Sequence, residues 1–535
     1  MSEPTAHLDT FARDNLPPPE FWPVMDYGSL PELAYPPRLN CAAELLDRHI
    51  ERGDGERTVF LFPGGHWTCW ELWETSNRIA HVLRDDLGVA PGNRVLLRGP
   101  NNPMMAACWF GVLKAGGICV ATMPLLRARE LTKIRDKAQI GLALTDGRLA
   151  GDLEGLMRAV PFGLGDQHSL EALMRDKPAR FDSVDTAADD VALIAFTSGT
   201  TGEPKGTLHF HRDVLAVCDC FPRYVLRPRS DDIFCGSPPF AFTFGLGALL
   251  LFPLRIGATS LILEQATAPQ LLQAIQDHRA IICFTAPTAY RAMMDMVGDF
   301  DIASLRKCVS AAETLPLPTF EGWQDRTGIR IIDGIGATEL LHIFISSPEE
   351  EIRPGSTGRV VPGYQARVVD HDGREVPPGT IGRLAVRGPT GCRYLANPDR
   401  QRAYVQDGWN FPGDAYRMDE DGYFWYQARS DDMIIFAGYN IAGPEVENVL
   451  LDHPAVMECG VVGVRDAERG QVVKAFVVLR SEWEPSQETA RELQEFVKSE
   501  IAPYKYPRQI EFVEHLPRTA TGKLQRYRLR AREQA

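Results

Sequence analysis

The sequence predicts an α/β protein. It has a large N-terminal domain of helix-covered, mostly parallel sheets, a small β-rich subdomain, and a small α+β C-terminal domain. Three observations carry this. Short apolar runs alternate with amphipathic helical stretches from about residue 72 to 345, the rhythm of a parallel sheet covered by helices. After residue 355 the texture changes to short segments punctuated by Gly363, Gly373 and Gly382, as antiparallel strands with tight turns require. At 535 residues the chain exceeds what one hydrophobic core organises, so two or more domains are expected.

In chain order, residues 1–40 read as an irregular arm, rich in prolines and aromatics. Leu72, Ser76, Ile79, Ala80, Leu83 and Leu87 share one helical face that ends before Gly88. Strands are predicted at 94–97, 118–121, 141–145, 281–285 and 329–333, with helices at 106–114, 131–137 and 269–278. The last unit reads as a hairpin, a helix from Pro444, strands at 457–464 and 472–479, and a helix over 487–499. It closes on a basic segment, 505–532. Domain limits of 1–429 and 430–535 follow.

Composition excludes several classes of function. A 44% hydrophobic, 24% charged chain is an ordinary soluble one. A net charge of −14 argues against nucleic-acid partners and against docking on anionic lipid. The N-terminus has neither the basic start nor the apolar core of a signal peptide. Residues 233–254 carry no charge, but Pro238, Pro239 and Pro253 interrupt them, so strand, turn and buried helix are expected, not a membrane span. Eleven cysteines without framework spacing suit reduced thiols in a cytoplasmic protein. His209-x-His211 on a strand would put both rings on one face, but Cys218-x-Cys220 is tighter than the usual zinc spacing and nothing nearby repeats it, so all four read as structural.

The stretch Thr197-Ser198-Gly199-Thr200-Thr201-Gly202-Glu203-Pro204-Lys205-Gly206 follows the apolar run Val191-Ala192-Leu193-Ile194-Ala195-Phe196. Glycines let several N–H groups point at one anion, and hydroxyls and a lysine add donors. It is a phosphate cradle by composition, yet Pro204 and Gly206 depart from the G-x-x-x-x-G-K-[ST] nucleotide loop. A flexible linker of the same composition would not start straight from a buried strand.

Five more stretches accompany it: Asp333-Gly334-Ile335-Gly336-Ala337-Thr338-Glu339, Asp407-Gly408-Trp409-Asn410-Phe411-Pro412-Gly413-Asp414, Asp419-Glu420-Asp421-Gly422-Tyr423-Phe424, Ala428-Arg429-Ser430-Asp431-Asp432, and Pro517-Arg518-Thr519-Ala520-Thr521-Gly522-Lys523. Together with the loop they resemble, in order and spacing, the signatures of the adenylate-forming superfamily of acyl-CoA synthetases, adenylation domains and luciferases. The resemblance implies ATP, Mg²⁺ and coenzyme A as cosubstrates and cofactor. It places ATP or AMP at Thr197, Ser198, Gly199, Thr200, Thr201, Gly202, Lys205, Ala312, Glu313, Asp333, Gly334, Ile335, Gly336, Thr338, Asp414 and Arg429. Glu339 would help hold Mg²⁺, for which a hard oxygen ligand is suited. Asp414 would accept from the ribose hydroxyls, and Lys523 would bridge the substrate carboxylate and the nucleotide during adenylation. Asp431 would be the hinge, and Gly438 and Tyr439 would face CoA. Two departures stand out. Ala428 replaces the usual Gly before Arg429, and Ile434-Ile435-Phe436 lacks the Lys that often follows the hinge.

Three features bear on the acid. No acidic residue lies between Asp232 and Glu264, so an α-ammonium group would be desolvated without a partner there. Phe242 and Phe244 face one side if the segment Phe240-Ala241-Phe242-Thr243-Phe244-Gly245 is extended, and would then either flank a flat ring or serve as two core phenylalanines. Ile335 stands where many relatives carry Tyr, and the run through Glu339 to Leu340-Leu341-His342-Ile343-Phe344 resembles benzoate-CoA and 2-aminobenzoate-CoA ligases. Substrate contacts are expected from Phe242, Thr243, Phe244, Gly245, Ala311, Gly334, Gly336 and His342. The resemblance therefore implies an ATP-dependent aryl-acid:CoA ligase acting on 2-aminobenzoate or benzoate-like acids. The alternatives are another small aryl or short-chain acyl-CoA synthetase, or a stand-alone adenylation enzyme that loads a carrier protein. A homodimer is compatible with the sequence.

Overall fold

The computed structural model describes residues 4–165, 167–198, 204–429, 432, 434–436, 439–466, 470–518 and 524–532. Gly199, Thr200, Thr201, Gly202, Asp431, Gly438 and Lys523 lie outside the described residues, and Ser198 and Tyr439 are described as backbone only.

Among the described residues the strands form four sheets. The first runs Arg158–Phe162, Leu142–Asp146, Arg94–Arg98, Ile118–Thr122, Val191–Ser198, Pro204–Phe210. All its pairings are parallel except the last, which is antiparallel. Parallel neighbours need a crossover. The helix Pro103–Lys114 supplies one, started by Asn102, whose side chain accepts from Met105 N at 2.9 Å, and by Pro103 at its first position.

The second sheet is nine strands wide. Its centre is parallel, from Ile331–Gly336 through Lys307–Ser310, Ile282–Thr285, Ile233–Gly236 and Thr259–Leu261 to Thr58–Phe62. Antiparallel strands close both edges: Ile343–Ser346 and Arg359–Val360 on one side, Gly65–Thr68 on the other. One hydrophobic core, with Phe60, Phe110, Phe221, Phe252, Phe284 and Ile345 among its members, serves both of these sheets. The third sheet is the expected antiparallel subdomain, built on Ile381–Arg387 between Gln365–Val369 and Asp414–Met418, with Phe424–Arg429 beyond.

The fourth sheet pairs Val456–Asp466 with Gly470–Leu479 and adds Ile434–Phe436, Tyr439–Ile441 and a parallel Gln509–Phe512. Its helices are Gly443–Asp452, Gln487–Glu500 and Arg526–Arg532. These elements have their own core, from Ile434 to Leu529 and including Val461, Phe476 and Leu493. This unit touches the large one through Arg518, whose Nη1 lies 3.1 Å from Glu313 Oε1, and through Arg291, whose Nη2 donates to Val456 O at 3.3 Å.

Residues 233–254 form the expected strand and buried helical turns, and no described helix is long and apolar enough to cross a membrane. All eleven cysteines are buried and unbridged. His209 and His211 serve the interior: His209 Nε2 donates to Thr338 O at 2.8 Å, and His211 Nδ1 lies 3.1 Å from Cys41 Sγ. One expectation is overturned. The segment carrying Phe242 and Phe244 is not extended, because a helix begins at Thr243 and Leu246 N donates to Phe242 O at 2.7 Å. The two rings therefore do not share one side of a strand, and each meets different neighbours. The turn before it is clamped by Asn101, which accepts from Phe240 N at 2.7 Å and donates to Pro238 O at 3.0 Å.

Candidate active site

The strands Val191–Ser198 and Pro204–Phe210 stay paired up to Thr197↔Lys205 and Ser198↔Pro204. This brings both ends of the predicted phosphate loop, and Lys205, to one sheet edge. Burial pushes the Lys205 pKa down. Arg400 lowers it further, Glu339 raises it, and Arg429 lowers it. Lys205, Arg400 and Arg429 thus lie near enough to influence one another, with Glu339 opposing them and Asp414 paired to Arg429. Cations gathered at a loop of this composition suit a polyphosphate.

Glu339 sits on the single 3₁₀ turn Thr338–Leu340, at the bend between Ile331–Gly336 and Ile343–Ser346. Its Oε1 accepts a 2.5 Å hydrogen bond from the Tyr394 hydroxyl, and its Oε2 makes no hydrogen bond among the described residues. A hard carboxylate with an oxygen to spare, beside Thr338, has the chemistry that fits Mg²⁺. His209 holds the same turn through Thr338 O, and burial keeps its ring neutral, with a pKa near 4.

Asp333, Gly334, Ile335 and Gly336 lie on the strand that leads into this turn. Asp333 Oδ1 is buried with no partner among the described residues. Burial raises the Asp333 carboxyl to about 7, against the Gly334 backbone and the Ser310 hydroxyl, which lower it. Asp333 lines a cavity of about 470 Å³ together with Thr314, Ser347, Thr357 and Tyr426. Gly336 has no room for a side chain, since a Cβ would stand 2.8 Å from His342 O. Ile335 is half-buried against the core.

Asp414 and Arg429 are cross-strand partners, and Arg429 Nη1 lies 3.3 Å from Asp414 Oδ1. Ala311, Ala312 and Glu313 follow the strand Lys307–Ser310. Ala312 has φ 76, and Leu341, between Glu339 and His342, has φ 70. Left-handed backbone costs a non-glycine residue roughly 1–2 kcal/mol, so two strained residues border this site. Glu313 accepts from Arg518, which also bonds Glu458 at 2.8 Å. Arg518, which also bridges Leu524, thus rests against the 311–313 turn.

On the far side of the Glu339 turn the surroundings are dry. The His342 ring packs on Phe252 at 4.5 Å and on Phe221 and Phe244 at 5.8 Å each. Burial pushes its pKa down to about 3, opposed by the Phe244 backbone, so the imidazole is neutral. Neither ring nitrogen has a hydrogen-bond partner among the described residues. A Cβ on Gly247 would come within 2.4 Å of His342 Cδ2. Phe242 turns away and lines a small pocket with Trp109, Cys119, Ala121, Ala195 and Thr243. Gly245 is closed in by Pro239 O, 2.2 Å from where its Cβ would be.

The structure therefore gathers Lys205, Thr338, Glu339 and Arg429 on one side, and Phe244 and His342 on the other. Three members were not foreseen. Arg400 and Tyr394 lie in a segment of no clear periodicity, and the role of His209 depends on a contact 129 positions away. Among them only His209 had drawn notice, for its spacing to His211.

A polar cavity at Asp333, cations near the Glu339 carboxylate and a packed aromatic cluster around His342 are compatible with an enzyme that brings an anion to an apolar substrate. The family described as "AMP-binding enzyme" matches residues 46–394, and "AMP-binding enzyme C-terminal domain" matches 445–523. The chain belongs to this AMP-binding enzyme family. It is 35% identical to the benzoate–CoA ligase of Thauera aromatica, over 95% of this chain and 99% of that protein. It is 31% identical to the 3-hydroxybenzoate–CoA ligase of Aromatoleum sp. (strain CIB), over 92% of this chain and 96% of that protein. Among solved structures, the anthranilate CoA ligase AuaEII in complex with anthranoyl-AMP superposes with a TM-score of 0.90 at 33% identity. That match covers 94% of this chain and 99% of the other. A benzoate CoA ligase from Burkholderia xenovorans LB400 gives 0.85 at 33% identity, over 92% and 100%.

Proposed function

We propose that the protein is an ATP-dependent aryl-acid:CoA ligase whose acids are 2-aminobenzoate or benzoate-like. A carboxylate oxygen of the acid attacks the α-phosphorus of ATP, the bond to the β-phosphate oxygen breaks, and pyrophosphate leaves. The CoA sulfur then attacks the acyl carbon, AMP departs, and the thiol proton passes to solvent. One observation carries the reading: Glu339 and His342 stand on one bend, so the phosphate side and the dry aromatic side meet within three residues.

Each half has a task. Lys205, Arg400 and Arg429 offset the repulsion between carboxylate and triphosphate. Asp333 offers its unpaired Oδ1 to the adenine amine, and Asp414 takes the ribose hydroxyls. Mg²⁺, when bound at Glu339, would supply further charge neutralisation at the phosphates. Neutral His342 with its three phenylalanine neighbours favours a flat, uncharged ring. An aromatic amine is neutral at pH 7, so 2-aminobenzoate meets this demand, as does benzoate. Lys523 is assigned to adenylation. Asp431 is the hinge between units 1–429 and 430–535, and Gly438 and Tyr439 are assigned to CoA. Buried, unbridged cysteines suit a reducing, cytoplasmic setting.

The test is pyrophosphate release with benzoate, 2-aminobenzoate, hydroxybenzoates and short fatty acids, with and without CoA. Aryl acids should release pyrophosphate, and CoA should convert them to thioesters. Turnover confined to aliphatic acids, or thioesters formed only on a carrier protein, would contradict the reading.

A further inference from the structure

Tyr394 is not in the loop, the strand ends or the turn that frame the site, yet its hydroxyl ends on Glu339 Oε1 at 2.5 Å. Its backbone is locked to the strand leaving the phosphate loop. Tyr394 bridges Thr207, Leu208 N donates to Arg393 O at 2.9 Å, and Leu395 N donates to Gly206 O at 2.8 Å. Gln401 Oε1 accepts from Tyr394 N at 2.9 Å, and the ring meets Tyr404 edge-on at 5.7 Å. Next to it, Arg393 forms a fully buried ion pair with Asp213 at 2.8 Å. Such a phenol has little freedom to move.

We propose that Tyr394 is a positioning residue for the metal-binding carboxylate. Its hydroxyl donates to Oε1 and fixes the rotation of the carboxylate, so that Oε2, without a partner among the described residues, would be the oxygen turned to Mg²⁺. Charge-assisted O–H···O⁻ bonds are short and directional, and a carboxylate without one rotates freely. Outer partners of metal ligands typically change metal affinity 10- to 100-fold when removed. Because Tyr394 hangs from the strand Pro204–Phe210, it also ties the geometry of Glu339 to the phosphate-loop strand that carries Lys205. The inference rests on the reading of Glu339 as a Mg²⁺ ligand.

The experiment compares wild type, Tyr394→Phe, Glu339→Gln and the double variant, with Tyr404→Phe as control. Tyr404 carries a buried hydroxyl without a partner among the described residues. Affinity for a non-hydrolysable ATP analogue is measured by calorimetry with and without Mg²⁺. Tyr394→Phe keeps the ring and its contact with Tyr404, so its melting temperature should fall by only a few degrees. It should reduce the Mg²⁺-dependent gain in affinity on the order of tenfold and leave metal-free binding within about twofold. The double variant should be no weaker than Glu339→Gln, since one residue acts through the other. Tyr404→Phe should behave as wild type. A full Mg²⁺ gain in Tyr394→Phe, or losses that add in the double variant, would overturn the inference. If Glu339→Gln itself keeps the Mg²⁺ gain, the reading of Glu339 as metal ligand falls, and this inference with it.

Discussion

The two sides of the 338–342 bend are built on opposite principles. The phosphate side is polar and charged, and it leaves Asp333 Oδ1 without a partner among the described residues. The aromatic side is fully packed, with His342 wedged between three phenylalanines and the bare Cα of Gly247. On the proposed reading the first is completed by an anion, so its residues would tune affinity and chemistry. On the same reading the second selects by shape, so its residues would tune which acid enters. Substitutions on either side should therefore disturb different constants.

The largest effect is expected from Lys523→Ala. It should cut adenylate formation roughly a hundredfold or more, as loss of one aligned donor at developing charge does, while thioester formation from preformed adenylate persists. Rapid-quench assay of each half-reaction checks this, and equal losses in both would remove Lys523 from its assigned role. On the aromatic side, Gly247→Val drives a side chain into His342. A fall of roughly 30-fold in kcat/KM for the aryl acid is expected, the scale of about 2 kcal/mol of overpacking, with KM for ATP unchanged. A matching rise in KM for ATP would mean that the two sides are not separate.

A smaller effect follows from Asp333. Its folded pKa of about 7 lies above the ordinary carboxylate value, so the native state holds its proton longer than the unfolded chain. The stability tied to that proton is present at low pH and is lost as pH rises through 7. The ionised form is the better acceptor for an amine, so nucleotide affinity should rise over the same interval. Asp333→Asn should flatten both profiles, measured by melting temperature and by AMP titration between pH 5.5 and 8.5. A wild-type profile that is already flat would refute the assignment. The smallest effect is that of Ala312→Gly. It relieves roughly 1–2 kcal/mol of left-handed strain against about 0.5–1 kcal/mol of added chain entropy. A gain of about 1 °C in melting temperature is expected, and a loss would show that φ 76 is not a strained state at this turn.

The sequence made the polar side far more legible than the dry one. Phosphate and metal chemistry needs particular residue types, so Lys205, Asp333, Glu339, Asp414 and Arg429 stand out in short motifs. Apolar specificity needs only shape, and a run such as Phe240-Ala241-Phe242-Thr243-Phe244 fits a strand as readily as a helix start. Tertiary clamping by Asn101 decided in favour of the helix. The strand expected at 329–333 is Ile331–Gly336, because its glycines do not end it. They carry the ladder from parallel pairing with Lys307–Ser310 into antiparallel pairing with Ile343–Ser346. The alternating sheets, the antiparallel subdomain and the terminal unit were readable from periodicity. Tyr394 was not, since nothing local marks a tyrosine whose partner lies 55 positions away.

The central claim is that both sides form one site for one aryl-adenylate. The most direct test is the affinity of a non-hydrolysable 2-aminobenzoyl-adenylate mimic, compared with AMP alone and 2-aminobenzoate alone. A continuous site predicts binding at least a hundredfold tighter than AMP, as intermediate mimics that unite two subsites show, and Gly247→Val should abolish most of that gain. A mimic that binds no better than AMP would contradict the account.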